Sequence, residues 1–170
     1  EVEKLTGKKY LDTLEGNLQV RNYYQVSNAD AVYAIGEITG ANKIKGGTNT
    51  AVQLGIATNK PVHVWDVKTQ TWYTYTKLEG FVEKGTPTLT QNFAGIGTRD
   101  IELYNVKNKE TGKWEPRKSY LGKEVEEAAK QAIRDVYEKT QASLKVTQPQ
   151  ADVINIYAGT NENAELSNFA

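Results

Sequence analysis

The sequence predicts an α/β fold of three layers around a mostly parallel sheet. Apolar runs too short to be helices alternate with stretches of helical spacing, and glycines stand where strand would turn into helix. At 170 residues, with 38% hydrophobic and 25% charged content, the chain has the size and make-up of one ordinary globular domain.

Between Asn17 and Ala29, Val20, Tyr23, Tyr24 and Val26 recur at helical spacing, with Arg21, Gln25 and Asn28 as a polar stripe. Ala31 to Ile35 is a continuous apolar run, as expected of a parallel strand buried on both faces, and Gly36 ends it. A polar excursion from Glu37 to Lys45 is expected to form a hairpin or a lid. After Gly46-Gly47 a helix is predicted over Thr50–Ala57, with Thr48 or Asn49 as its N-cap. Pro61 opens a strand from Val62 to Trp65 that ends at Asp66, at the carboxyl edge where open α/β sheets hold their ligands. Alternating aromatic and threonine residues from Trp72 to Thr76 predict a short strand, antiparallel or at an edge. Asn92-Phe93-Ala94 reads as a strand leading into the glycine-rich turn Gly95-Ile96-Gly97-Thr98-Arg99, and Lys107 to Lys118 reads as a loop. Val125, Ala128, Ala129, Ala132, Ile133, Val136 and Tyr137 define an amphipathic helix over Lys123–Thr140. A polar linker around Pro149 leads to a last strand, Val153 to Tyr157, and a polar tail. This alternation is Rossmann-like, and it divides the chain into a domain over 1–145 and a terminal piece over 146–170, where a further domain could begin.

Composition narrows the chemistry. With no cysteine there is no disulfide framework, thiol nucleophile or cysteine-held metal, which favours a reducing compartment. His63 is the single histidine, flanked by Val62 and Val64, and reads as a core or sheet histidine more readily than as a base. No metal or cofactor is called for. Lys plus Arg equals Asp plus Glu at 21 each, so nucleic acid is not an expected partner. The apolar runs are too short to span a bilayer, and no signal peptide opens the chain; a cytoplasmic protein is expected. The start at Glu1 and the lack of methionine suggest that a preceding segment has been trimmed.

Two glycine-bearing segments are candidate ligand sites. Gly46-Gly47-Thr48-Asn49-Thr50 would let the backbone approach a ligand and present the amides of a helix N-terminus to an anion; the alternative is a tight turn with a capped helix. Gly95, Gly97, Thr98 and Arg99 form the second, with the guanidinium either clamping phosphate or carboxylate or paired with Asp100 or Glu102. The full dinucleotide fingerprint is absent, which disfavours a simple NAD-dependent dehydrogenase.

Arg21 through Ile35, then Gly46-Gly47-Thr48-Asn49-Thr50-Ala51-Val52-Gln53, then Lys60-Pro61-Val62, resembles the Lonely Guy and DNA-processing-protein superfamily of Rossmann-like nucleotide binders, called SLOG. Phe93-Ala94-Gly95-Ile96-Gly97-Thr98-Arg99 resembles the GIGSR element of related phage-type proteins. Lonely Guy enzymes cleave the N-glycosidic bond of a nucleoside monophosphate. The resemblance implies that Arg21 and the Gly46–Thr50 loop hold phosphate, with Gln53 or Asp30 near the sugar; Asp30 reads equally as a cap between helix and strand. Three positions depart from the pattern: Asn22 replaces a lysine, Asn49 a glycine and Gln53 the catalytic glutamate. An amide carries no charge and is no general base. The last residues, Ile156 to Ala170, resemble the opening of NADAR or YbiA-like domains, N-glycosidases acting on nucleotide-derived substrates. The expectation is therefore binding of a phosphate-bearing nucleotide or nucleotide-derived molecule, with or without N-glycosidic cleavage, by a chain able to form a homodimer. The competing expectation is a non-catalytic interaction module of a larger phage or bacterial protein.

Overall fold

The computed structural model describes residues 3–4, 14–98, 104–117 and 121–147. It is a mixed α/β structure. Helix α1 (Leu14–Ser27) leads into β1 (Ala31–Gly36), a small hairpin of β2 (Ile38–Gly40) and β3 (Lys43–Ile44), and helix α2 (Thr48–Ala57). Then come β4 (Val62–Asp66), β5 (Thr71–Thr76), β6 (Gly80–Glu83) and β7 (Phe93–Gly97), a second hairpin of β8 (Tyr104–Lys107) and β9 (Trp114–Arg117), and helix α3 (Gly122–Thr147).

The main sheet has the order β6-β5-β4-β1-β7. β1 pairs in parallel with β4 and with β7, whereas β5 and β6 add antiparallel, so two of the four pairings are parallel. The centre of the sheet is parallel because a helix returns the chain from β1 to β4; tight turns at 67–70 and 77–79 instead reverse it into β5 and β6. All six residues of β1 are buried, as its unbroken apolar run requires.

Side chains alternate across the sheet and meet helices on both sides. Val32 and Ala34 of β1, Val62 and Val64 of β4 and Ala94 of β7 cluster with Val26 of α1 and with Ala51, Val52 and Leu54 of α2. Ile35, Trp65 and Trp72 meet Ala129, Ala132 and Val136 of α3. Gly55 lets α2 lie close to the sheet: a Cβ there would stand 2.7 Å from Val62 Cγ2 and 2.9 Å from Val32 Cγ2.

Four expectations change. Of the stretch Lys107–Lys118, the described residues Lys107–Arg117 are no loop but most of the β8–β9 hairpin, whose turn is built by Asn108 Oδ1 accepting the Glu110 and Thr111 N–H groups and by Gly112 at φ 70°. Gly95 and Gly97 are no turn; they continue β7 opposite Tyr33 and Ile35. The strand over Trp72–Thr76 is antiparallel but interior, since β6 lies outside it. The N-cap of α2 is Gly47, without a side-chain cap bond, because Asn49 Oδ1 accepts the Ile44 N–H instead. The excursion from Glu37 to Lys45 is a hairpin, and it is tied down: Phe81 N–H donates to Ala41 O at 2.9 Å, and Gly80, at φ 77°, leaves no room for a Cβ against that carbonyl. The linker, the strand over Val153–Tyr157 and the tail lie outside the described residues.

Candidate functional site

Two chain segments distant in sequence converge at the carboxyl edge of the neighbouring strands β1 and β7. The Thr98 N–H donates to Ile35 O, so β7 ends level with β1. At the end of β1, the Lys45 N–H donates to Glu37 O at 2.8 Å and brings Gly46-Gly47 to the same edge. Gly46 has φ 79°, a conformation that favours glycine. Gly47 is already helical at φ −64°, and α2 points its N-terminus here. Its first turn is partly self-satisfied, with Asn49 N–H on Gly46 O and Thr50 N–H on Gly47 O.

Helix α1 supplies the opposite wall. Gln19 and Asn22 are polar yet 6% and 9% exposed, and Asn22 Nδ2 donates to Gln19 Oε1 at 3.3 Å. Gln19 Nε2 lies 3.6 Å from the place a Cβ on Gly47 would occupy. The buried Gln19 amide thus lies beside the Gly47 backbone, and Asn22 holds its oxygen from the far side. Charge collects beside it: Glu37 pairs with Lys68 at 2.8 Å and with Lys45 at 3.9 Å. Glu37 raises the pKa of Lys68, first by accepting its hydrogen bond and then by its charge. Lys45 precedes the glycines directly and, among the described residues, its ammonium is held by the longer pair alone.

The expected site residues divide between this crevice and other places. Gly46, Gly47, Thr48, Asn49 and Thr50 form its floor, with Thr48 and Thr50 buried. Gly97 and Thr98 reach the same edge at the end of β7, while Gly95 lies within that strand. Arg99 lies outside the described residues. Arg21 is not brought up to the glycines: it is exposed, roughly 160° around α1 from Gln19. Gln53 spends its amide on structure, donating to Asn42 O and to Asn49 Oδ1 and so joining α2 to the β2–β3 hairpin. Asp30 precedes β1 at the opposite, amino edge, where its carboxylate accepts the Asn92 N–H at 3.1 Å. It caps the strand pair there, away from Gly46–Thr50.

Asp66 ends β4 at the carboxyl edge and is 5% exposed. Its Oδ1 accepts the Ile38 N–H, and its Oδ2 accepts both the N–H and the hydroxyl of Thr69, so it secures two turns and is not aimed at a ligand. His63 stacks on Tyr33 with ring centroids 5.0 Å apart and shares a 2.9 Å hydrogen bond between Nδ1 and Thr74 Oγ1. Burial pushes its pKa down and that of Tyr33 up. An open depression of about 300 Å³ at the amino edge is lined by Ile56, Asn59, Lys60, Pro61, Thr74, Tyr75 and Lys77. Its Lys60 is already committed, donating to Val26 O, Ser27 O and Ala29 O. Among the described residues no group of three or more His, Asp or Glu side chains is placed to hold a metal ion, and no helix is long and apolar enough to cross a membrane.

Gln19, Lys45 and Glu37 stand at this candidate site although they were not among the expected residues. Lys45 could have been found by its place beside the glycines. Gln19 carried a signal too, as a polar residue in register with Asn22 and Val26 on the buried side of α1. Compared with known proteins, the chain matches no family model, no curated protein and no solved structure.

Proposed function

We propose that the chain is a nucleotide-binding domain of three-layer, Rossmann-like, SLOG-type build, which seats a phosphate-bearing nucleotide in the crevice between α1 and the N-terminus of α2. The observation that carries the reading is the bare backbone of Gly46-Gly47 at the N-terminus of α2, at the carboxyl edge of the sheet, with the buried Gln19 amide beside Gly47. Helix N-terminal amides and Lys45 suit the phosphate, and the two side-chain amides suit the hydroxyls or base edge of the remainder. A cytoplasmic location belongs to this reading.

The reading is binding without cleavage. Gln53 offers no carboxylate, and the acidic groups at this edge, Glu37 and Asp66, are engaged with lysines and backbone amides. Arg21 on the solvent side of α1 favours a second reading, a non-catalytic interaction module, over hydrolysis.

A thermal-shift screen with AMP, other nucleoside monophosphates, NAD, ADP-ribose and cyclic nucleotides separates the two, since a ligand that binds only the folded state raises Tm. A shift with at least one of them is expected. Gly47→Ala then tests the place: its backbone is helical and its nearest neighbour is at ordinary contact distance, so the fold keeps, while the added methyl stands between a ligand and the Gly47 backbone. Affinity should fall by about tenfold or more, at least 1.4 kcal/mol. Unchanged affinity in Gly47→Ala moves the ligand elsewhere, and no shift with any nucleotide leaves the interaction module.

A further inference from the structure

The balance of charge that makes nucleic acid an unexpected partner holds for the chain as a whole and not locally. From Lys107 to Lys118 the sequence carries five basic residues against two acidic ones, and most of this stretch belongs to the β8–β9 hairpin. The tip of that hairpin is an ordered turn. The Asn108 N–H donates to Lys113 O and the Gly112 N–H to Asn108 O, while Asn108 Oδ1 accepts the Glu110 and Thr111 N–H groups. A turn tied by its own side chain fixes the ribbon, so groups carried beside it are held in place before a partner arrives.

Trp114 stands beside that turn and is 69% exposed, whereas the other two tryptophans, Trp65 and Trp72, are 3% and 5% exposed. It pairs with Lys107 across the ribbon, and residues directly opposite each other in an antiparallel pair share a face, with Cβ atoms about 5 Å apart. Lys109 follows Lys107 by two residues, Lys113 directly precedes Trp114, and all three lysines are exposed. Among the described residues none of these ammonium groups has an ion-pair partner. Glu115 is directed to the turn instead, where its Oε1 accepts a hydrogen bond from Asn108 Nδ2 at 3.1 Å.

An exposed indole bordered by ammonium groups has a specific chemical complement. The indole offers its π face to a flat ring, and the lysines offer charge to anions within reach of it. Single-stranded nucleic acid presents an unpaired base and a phosphate at every nucleotide, which answers both. A duplex keeps its bases stacked on one another, so it would satisfy the lysines and leave the indole uncovered. An acidic protein surface would do the same.

We propose that the β8–β9 hairpin is a docking surface for single-stranded nucleic acid, with a base stacked on Trp114 and phosphates on Lys107, Lys109 and Lys113. Nothing in this rests on the nucleotide crevice. Because Trp65 and Trp72 are buried, quenching of tryptophan emission by an added oligothymidylate or oligouridylate reports on Trp114. An oligomer of about twelve nucleotides should quench the full chain, and its affinity should fall roughly 20-fold between ~50 and ~200 mM salt, as about three phosphate contacts require. By fluorescence anisotropy of a labelled oligomer, Trp114→Ala should bind about tenfold or more weakly and Trp114→Phe should restore most of the loss. In Lys107→Gln with Lys113→Gln the salt effect should shrink to about threefold. The replaced side chains are exposed, so each variant should keep the parent's Tm. Absence of quenching at low salt overturns the proposal. So does unchanged affinity in Trp114→Ala, which would give the oligomer to the crevice, and so does duplex binding as tight as that of the single strand, which would mean that charge alone is read.

Discussion

Lys60 stands at the amino end of β4, yet its work is done at the end of α1, where its ammonium donates to the carbonyls of Val26, Ser27 and Ala29 at 2.6, 2.9 and 2.7 Å. A helix C-terminus carries unpaired carbonyls and the negative end of the macrodipole, so one cation answers both. Lys60→Met keeps the aliphatic stem and removes the charge; urea unfolding should show a loss of about 2 kcal/mol, and a loss near zero would mean that water replaces the ammonium. Gln53 makes the converse point. Its amide nitrogen donates to two acceptors, Asn42 O and Asn49 Oδ1, so Gln53→Glu would set a carboxylate against two oxygens. The variant should gain no hydrolysis and should be less stable than the parent by about 1–2 kcal/mol at neutral pH. Appearance of base release from a nucleoside monophosphate would refute that. His63 gives a pH dependence whose sign is fixed by burial. Its folded pKa lies below 6.5, so the unfolded chain takes up the proton first; its contribution is intact above pH 6.5 and declines as pH falls from there to the folded pKa. Unfolding free energy measured across that window should drop in the parent and lose this slope in His63→Gln.

The β2–β3 hairpin belongs to the element scale, because it is held from three sides. Gln53 and Asn49 of α2 bind its strands and tip, and Phe81 N–H holds Ala41 O. Gly80 permits the last contact: its φ is 77° and an added Cβ would meet Ala41 O at 2.2 Å. Gly80→Ala should therefore cost about 2 kcal/mol or more in urea unfolding and free the tip, seen as fast exchange of the Phe81 amide. A variant as stable as the parent would mean the hairpin is only resting on the sheet. Elements with a strong one-sided or two-sided burial pattern were legible in the sequence: α3 through Ala129, Ala132 and Val136, and β1 through its unbroken apolar run. The β8–β9 hairpin was not, since its strands are short and polar, although Asn108 and Gly112 hold the positions that its turn requires. Gly95 and Gly97 misled for the opposite reason. Glycine punctuates turns often enough to suggest one, but neither has a positive φ, and pairing with β1 settles both as strand. In the crevice, the glycine loop could be read directly. Gln19 could not be weighed against Arg21 until α2 lay against α1, because two residues along a helix reverse the direction a side chain faces.

At the scale of the whole molecule, the crevice exists because strand order is not sequence order. β1 sits between β4 and β7, and the chain leaves its carboxyl end towards β4 through α2 while β7 arrives on the other side from β6. The carboxyl edge of strands that are neighbours in space but not in sequence is where open α/β sheets bind ligands. Gly46-Gly47 and Gly97-Thr98 meet there although about fifty residues separate them in the chain, and the charged group formed by Lys45, Glu37 and Lys68 flanks the same edge. The amino edge is closed by contrast: Asp30 is bonded to Asn92, and Lys60 to the end of α1. A bound nucleotide should accordingly perturb amide chemical shifts at Gly46–Asn49 and, through the shared edge, at Gly97 and Thr98, while Asp30, Asn59 and Asn92 stay unmoved. Raising ionic strength should weaken the binding, because Lys45 is mostly exposed and its attraction for phosphate is screened within about 10 Å at 0.1 M salt. Perturbations confined to Asn59, Lys60 and Lys77 would instead locate the ligand in the amino-edge depression and separate the carboxyl-edge geometry from nucleotide recognition.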